Sequence, residues 1–285
     1  MQVVSFMNMK GGVGKTTLAV NVAYALAHQH DKKVLMVDAD PQFNATQYLV
    51  DDAEYFAHVD DDSKGWLRHI FVPREEAKVR TTTGLAKPVN KTKIPLGDCI
   101  IEIFKGGYRK GGQLDIIPSH LSIIDVNTPP QSENRLKIYL NEKASHYDYV
   151  IIDCPPTISF FTTAAILASH KYVVPIKPDP LSVIGLPLLE KHIQNLTHDA
   201  GMGLEQVGLV FTMVTGQVPQ AMRDVMARLR TQRKAAVFKD SMSHATGVAK
   251  SVVAHQPVFL YKDASQKSKL QILDITKEFL KRTSS

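Results

Sequence analysis

Residues 10–17 read Lys10-Gly11-Gly12-Val13-Gly14-Lys15-Thr16-Thr17. Lysines, glycines and hydroxyls packed this closely suit one task, the holding of phosphate. Glycines let backbone N–H groups converge on phosphate oxygens without Cβ clashes, and a helix starting at the loop adds partial positive charge. Lys15 is then placed to reach the β- and γ-phosphates of a nucleotide, and Thr16 to bind Mg2+. The string departs from the general G-x-x-x-x-G-K-[ST] form, because Met9 stands at the first glycine position and Lys10 with paired glycines follows it. The bland alternative is a Gly-rich turn with nearby lysines. The strand before the loop and the helix after it argue for the nucleotide site.

Carboxylates close two other apolar runs. Val34 to Val37 ends at Asp38-Ala39-Asp40-Pro41-Gln42, and Asn44-Ala45-Thr46 follows shortly after. Tyr149 to Ile152 ends at Asp153, followed by Cys154-Pro155-Pro156. A parallel α/β sheet presents its ligands at the carboxyl ends of its strands. Both acidic ends would therefore face the phosphate loop, where Asp153 would hold Mg2+, through water. Taken alone, the Asp38–Gln42 stretch also reads as an Asx-turn that caps a helix.

These groups need a scaffold. Gln2–Met7, Val34–Val37, Leu114–Ile117, Tyr149–Ile152, Tyr172–Ile176 and Val207–Phe211 are short apolar runs that predict buried strands. Residues 16–29, 182–196, 219–233 and 265–281 carry helical spacing. Alternation of the two predicts an α/β fold: a single domain over 1–285 with a mainly parallel twisted sheet and helices on both faces. The segment at about 51–113 breaks this rhythm and is expected to be an irregular insertion. It opens with the acidic run Asp51–Asp62 and later holds Thr81–Gly84 and Lys87–Lys91.

Composition excludes several classes. At 44% hydrophobic and 22% charged residues, the chain is not wholly disordered. No apolar run approaches the ~18 residues of a membrane span, and residues 1–8 do not read as a signal peptide. Two cysteines make no disulfide scaffold, so a reducing, cytoplasmic setting is expected. The net charge is +6, and residues 63–113 and 201–285 each carry an excess of seven basic groups. Gathered on one face, such an excess favours a polyanion; spread out, it is only a solvated surface. No histidine pair is flanked as a metal site would be, and Trp66, beside Leu67 and Ile70, reads as packing.

The string KGGVGKTT resembles the deviant Walker A loop of the ParA/MinD family of P-loop ATPases. Asp38 to Thr46 resembles that family's D-x-D-P-Q-x-x-A-T switch, and Ile151 to Pro156 its IIDxPP switch. The resemblance implies a P-loop NTPase fold and a magnesium-dependent ATP hydrolase. It implies that Lys10 reaches across an ATP-sandwich homodimer to the partner's phosphates. Asp40 would orient the attacking water, and Asp38 would join the magnesium shell or support the loop. Thr212, Met213 and Pro257 stand where the family packs the base. Nothing can be carried over to 51–113.

Within the family the expected biology is that of a ParA-type partition ATPase. Its ATP-bound dimer would bind double-stranded DNA without sequence preference, and a ParB-like or other adaptor would stimulate hydrolysis and release. It would be cytoplasmic and nucleoid-associated with ATP bound, positioning a plasmid, a chromosome or a protein assembly. Arg223, Arg228, Arg230, Arg233, Lys234 and Lys250 are the candidate DNA contacts, with Lys262, Lys267, Lys269 and Lys281 beyond them. A MinD-type membrane-associated ATPase is the alternative, on the strength of Leu270, Leu273, Ile275, Phe279 and Leu280 among the terminal lysines. Because that stretch reads equally well as a docked helix, no membrane partner is expected. An iron-protein-type reductase shares the loop, but Cys99 and Cys154 lack its context.

Overall fold

The computed structural model describes residues 1–72, 95–125, 132–234 and 236–284. Each apolar run named above becomes a strand. With one further strand, β3 (Ile101–Gly106), the described strands are in chain order β1 (Gln2–Phe6), β2 (Lys33–Asp38), β3, β4 (Gly112–Ile117), β5 (Tyr149–Asp153), β6 (Lys171–Ile176) and β7 (Glu205–Phe211). They form one sheet in the order β3-β4-β2-β5-β1-β6-β7. All pairings are parallel except that of β3 with β4.

The helices are α1 (Lys15–His30), α2 (Asn44–Leu49), α3 (Asp52–Val59), α4 (Leu67–Phe71), α5 (Leu96–Cys99), α6 (Arg135–Lys143), α7 (Phe160–Ala168), α8 (Pro180–Asp199), α9 (Gln220–Gln232), α10 (Thr246–Val253) and α11 (Gln266–Thr283). Strand alternation sorts them into two layers. Leu35 and Val37 enter one core with Leu136, Ala164, Leu186 and Leu229 of α6 to α9. Val34 and Met36 enter the other with Leu18 and Leu26 of α1, Val248 of α10 and Ile272 of α11. Both faces of the sheet are thus covered, as a parallel sheet requires.

The terminal amphipathic stretch lies in the core. Ile275 and Phe279 are buried, the Phe279 ring stacks 6.1 Å from Phe6, and the hydroxyls of Thr283 and Tyr149 are 3.0 Å apart. Its apolar face is therefore occupied by the protein itself. Among the described residues, no helix is long and apolar enough to cross a membrane.

The segment 51–113 carries regular elements where it is described. Its described parts hold α3, α4, α5 and the edge strand β3, which runs antiparallel to β4. In β3 the exposed Glu102 and Lys105 interrupt the apolar positions. Charges on an outer strand discourage edge-to-edge pairing, and the same charges hide the strand from a search for buried runs. Thr81–Gly84 and Lys87–Lys91 lie outside the described residues.

Candidate nucleotide-binding and hydrolysis site

The loop from β1 to α1 turns on glycines. Gly12 and Gly14 take φ of 70° and 75°, values that an L side chain resists. A Cβ on Gly14 would also lie 2.9 Å from Cε of Met242. No side chain caps α1, so its first N–H groups are left for an anion. The loop floors an open cleft of about 290 Å³, which Asp40, Gln42, Tyr48, Pro156 and Val252 help to wall.

At the cleft floor Lys15 Nζ lies 3.5 Å from Asp153 Oδ1, and the Thr16 hydroxyl donates to Asp153 Oδ2 at 2.6 Å. Burial pushes the Lys15 ammonium down, but the surrounding acidic groups, Asp153 first, with Cys154 and Asp40, together outweigh it and hold the pKa above its ordinary value. Lys15 is thus a fixed cation at the base of the loop. The oxygens of Thr16 and Asp153 are hard donors and fit magnesium, which takes oxygen ligands.

Asp38 pairs with Asp153 in the β2–β5 register, but its oxygens are engaged by the loop that follows. Thr46 donates to Oδ2 from its N–H and its hydroxyl, both at 2.8 Å. The Asp40 N–H donates to Oδ1 at 3.2 Å. These bonds give Asp38 the loop-supporting one of its two expected roles. Thr46 in turn accepts from the Ser119 N–H at 3.1 Å. Ser119 belongs to no motif of the sequence and joins this brace only through the fold.

Burial, with Asp153 opposite, raises Asp38 to about 7 from an ordinary 3.8. Between those two values the folded chain binds a proton that the unfolded chain releases. Stability from this group therefore falls as pH rises through the window. Asp38→Asn keeps an acceptor for Thr46 and drops the charge. Without nucleotide or metal, it is expected to raise the urea midpoint near pH ~8 and to lose that advantage near pH ~4. A difference between variant and wild type that is the same at both pH values would show that Asp38 carries no penalty of charge in the fold.

Asp40 is buried at the cleft wall. Its Oδ1 accepts from the Gln42 N–H at 3.0 Å and its carbonyl from the Phe43 N–H at 2.8 Å. This tight turn ends on Phe43, which precedes α2 with φ 44°. A left-handed conformation costs a non-glycine residue about 1–2 kcal/mol.

Lys10 stands at the cleft rim and is held by its own chain. Its Nζ lies 2.9 and 3.1 Å from the two oxygens of Asp179 and 3.1 Å from Ser182 Oγ. Asp179 also caps α8 through the Ser182 N–H. Burial opposes its charge, but the bonds from Lys10 and Ser182 prevail and keep the carboxyl below its usual range. An Asp before Pro180 carries a helix-start signal in sequence; its pairing with Lys10 carries none.

The three expected base-site residues stand off the cleft lining. The Thr212 hydroxyl donates to the Val13 carbonyl, and Met213 Sδ lies 3.4 Å from where a Gly14 Cβ would be. Both pack behind the loop. Pro257 is buried beside Val258, whose N–H donates to Asn21 at 2.7 Å. Tyr48 and Val252 line the cleft.

The basic residues divide as well. Arg233 forms a two-pronged ion pair with Glu190, one arm at 2.9 Å, and serves to join α9 to α8. Of the expected DNA contacts, Arg233 is thus already engaged by a carboxylate of its own chain. Arg230 donates to the Lys239 carbonyl at 3.1 Å and lies over the Phe211 ring. Arg223 bonds Gln220, while Arg228, Lys234 and Lys250 are exposed.

Residues 1–205 match the family model of an AAA domain. The virulence plasmid ParA family protein pGP5-D of Chlamydia psittaci is 31% identical over 216 residues, covering 74% of this chain and 69% of that protein. The sporulation initiation inhibitor protein Soj of Bacillus subtilis is 26% identical over 287 residues, covering 97% of each. In fold, a plasmid partition protein from Borrelia burgdorferi superposes with a TM-score of 0.70 at 20% identity, over 99% of this chain and 98% of that one. A Cyanothece McdA variant in complex with ATP superposes with a TM-score of 0.72 at 18% identity, over 99% and 96%. Its phosphate loop carries the second lysine, its carboxylates meet at the same sheet edge, and its relatives span most of its length: this chain belongs to the ParA/MinD-type P-loop ATPases.

Proposed function

We propose that this protein is a ParA-type positioning ATPase, dimeric around ATP, that binds DNA without sequence preference and is released on hydrolysis. The observation that carries the reading is the convergence of Lys15, Thr16 and Asp40 on one cleft at the carboxyl edge of β1, β2 and β5, with the buried Asp153 bonded to Lys15 and Thr16 beneath it. The loop N–H groups and Lys15 bind the triphosphate. Thr16 and Asp153 would hold magnesium, which neutralises charge on the β- and γ-oxygens. Asp40 is an acceptor at the cleft wall able to orient water for in-line attack. Lys10 exchanges Asp179 for a phosphate of the partner subunit when two copies close. Loss of the γ-phosphate then relaxes residues 40–46 and 153–160, and the dimer opens.

Support for the positioning role comes from relatives, among them a cell division protein PomZ of Myxococcus xanthus, 28% identical over 265 residues. In this reading the protein works in the cytoplasm, on the nucleoid while ATP is bound, and an adaptor stimulates turnover. The test is a titration of duplex DNA with ATP, with ADP and without nucleotide. Binding with ATP alone is expected. Binding to liposomes in its place would favour a MinD-type role, against which the docking of α11 argues.

DNA binding should fall steeply with salt. Each phosphate contact contributes ~0.9 to the slope of log K against log salt. Replacing the exposed Arg228 and Lys234 together by alanine is expected to flatten that slope by ~2 while ATP affinity is unchanged. An unaltered slope would assign both to solvent.

A further inference from the structure

Phe43 sits in the hydrolysis switch in a conformation that suits glycine, at φ 44°. Its ring answers for it. Phe43 lies 5.6 Å from Tyr55 at an interplanar angle of 5°, and 6.3 Å from His120 at 21°. Tyr55 and His120 are 6.3 Å apart at 20°. The three near-parallel rings, from three separate segments, therefore form a triangular clamp with Phe43 at one corner and not between the other two, each pair within the distances aromatic rings prefer. The clamp is anchored beyond the rings. The Tyr55 hydroxyl donates to the Ser119 carbonyl at 3.1 Å, and the Ser119 N–H donates to Thr46 Oγ1 at 3.1 Å. On its far side the single tryptophan, Trp66, lies 5.4 Å from His120.

Phe43 closes the turn that begins at Asp40, through its N–H to the Asp40 carbonyl at 2.8 Å, and its own carbonyl accepts from Gln47 at 2.9 Å. Whatever fixes the Phe43 ring thus fixes the turn carrying the Asp40 carboxylate. We infer that Phe43 is a positioning residue for hydrolysis: clamped by Tyr55 and His120, it sets Asp40 against the phosphate loop and couples the switch to the segment 51–72. The inference rests on the proposed role of Asp40. It also makes a contest between two effects. Glycine at position 43 would relieve backbone strain, which on its own favours the turn. It would also remove the ring, which releases the turn from the clamp.

The experiment uses the full chain and compares wild type with Phe43→Gly and Phe43→Tyr in ATP binding, steady-state hydrolysis and Trp66 emission. If the clamp governs, Phe43→Gly lowers kcat by roughly tenfold to a hundredfold. Its affinity for a fluorescent ATP analogue stays within about twofold of wild type, and Phe43→Tyr recovers most of the rate. Trp66 emission should change when wild type binds ATP with magnesium, and not in Phe43→Gly. A Phe43→Gly protein that turns over at the wild-type rate or faster overturns the inference. So does equal impairment of both variants, or a wild-type Trp66 signal indifferent to ATP that is demonstrably bound. A wild type that neither binds nor hydrolyses ATP removes the reading of the site itself, and this inference with it.

Discussion

Lys15→Ala is expected to abolish tight ATP binding and to lower kcat/KM at least ~10²-fold, the scale on which one preorganised electrostatic partner acts. Lys15 is the buried cation of the cleft floor, only 7% exposed, and it faces Asp153 at 3.5 Å. A triphosphate brought there would lose the one ammonium fixed by the loop itself, because Lys10 lies at the rim, in contact with Asp179. Truncation also strands Asp153 in the core, and breaking a buried pair costs roughly 3–5 kcal/mol unless the carboxylate takes a proton. Binding of a fluorescent ATP analogue should therefore be measured beside a urea melt. Lys15→Gln, which retains length and a donor, separates loss of charge from loss of fold. Unchanged turnover in a folded Lys15→Ala protein would remove the phosphate-loop assignment.

Asp40→Ala should uncouple binding from turnover. Asp40 lines the cleft and acts on Lys15 through charge, while the hydrogen bonds of Lys15 and Thr16 go to Asp153. ATP affinity is expected to change little, while hydrolysis falls ~10²-fold or more, as when a general base or water-orienting group is lost. In the proposed cycle the consequence is a dimer held on DNA, visible as a persistent complex in gel filtration with ATP. Asp40→Asn sharpens the result. It keeps the acceptor for the Gln42 N–H, so a turn that merely needs a cap would hydrolyse normally with asparagine. If Asp40→Asn retains full activity, the carboxylate has no part in orienting water.

Lys10 shows where local and distant information part. Its place in the loop is written in the eight residues 10–17. Its partners, Asp179 and Ser182, are 169 and 172 positions away. They meet it because β6 lies beside β1 in the sheet and delivers the start of α8 to the same edge. No spacing rule encodes that meeting.

The sequence by itself determined the phosphate loop, the strand ends that present Asp38, Asp40 and Asp153, and the sheet-and-helix alternation behind them. Each is a contiguous stretch whose chemistry depends on backbone conformation within a few residues, which local residue types dictate. Tertiary structure alone decided which groups those side chains touch. Strand order set Asp38 to brace the loop through Thr46, turned Arg233 toward Glu190, set Thr212 behind the loop and gathered Phe43, Tyr55 and His120 into one cluster. The physical reason is that a hydrogen bond or ring contact is settled within a few ångströms, and in a folded chain that proximity comes from the order in which strands pair.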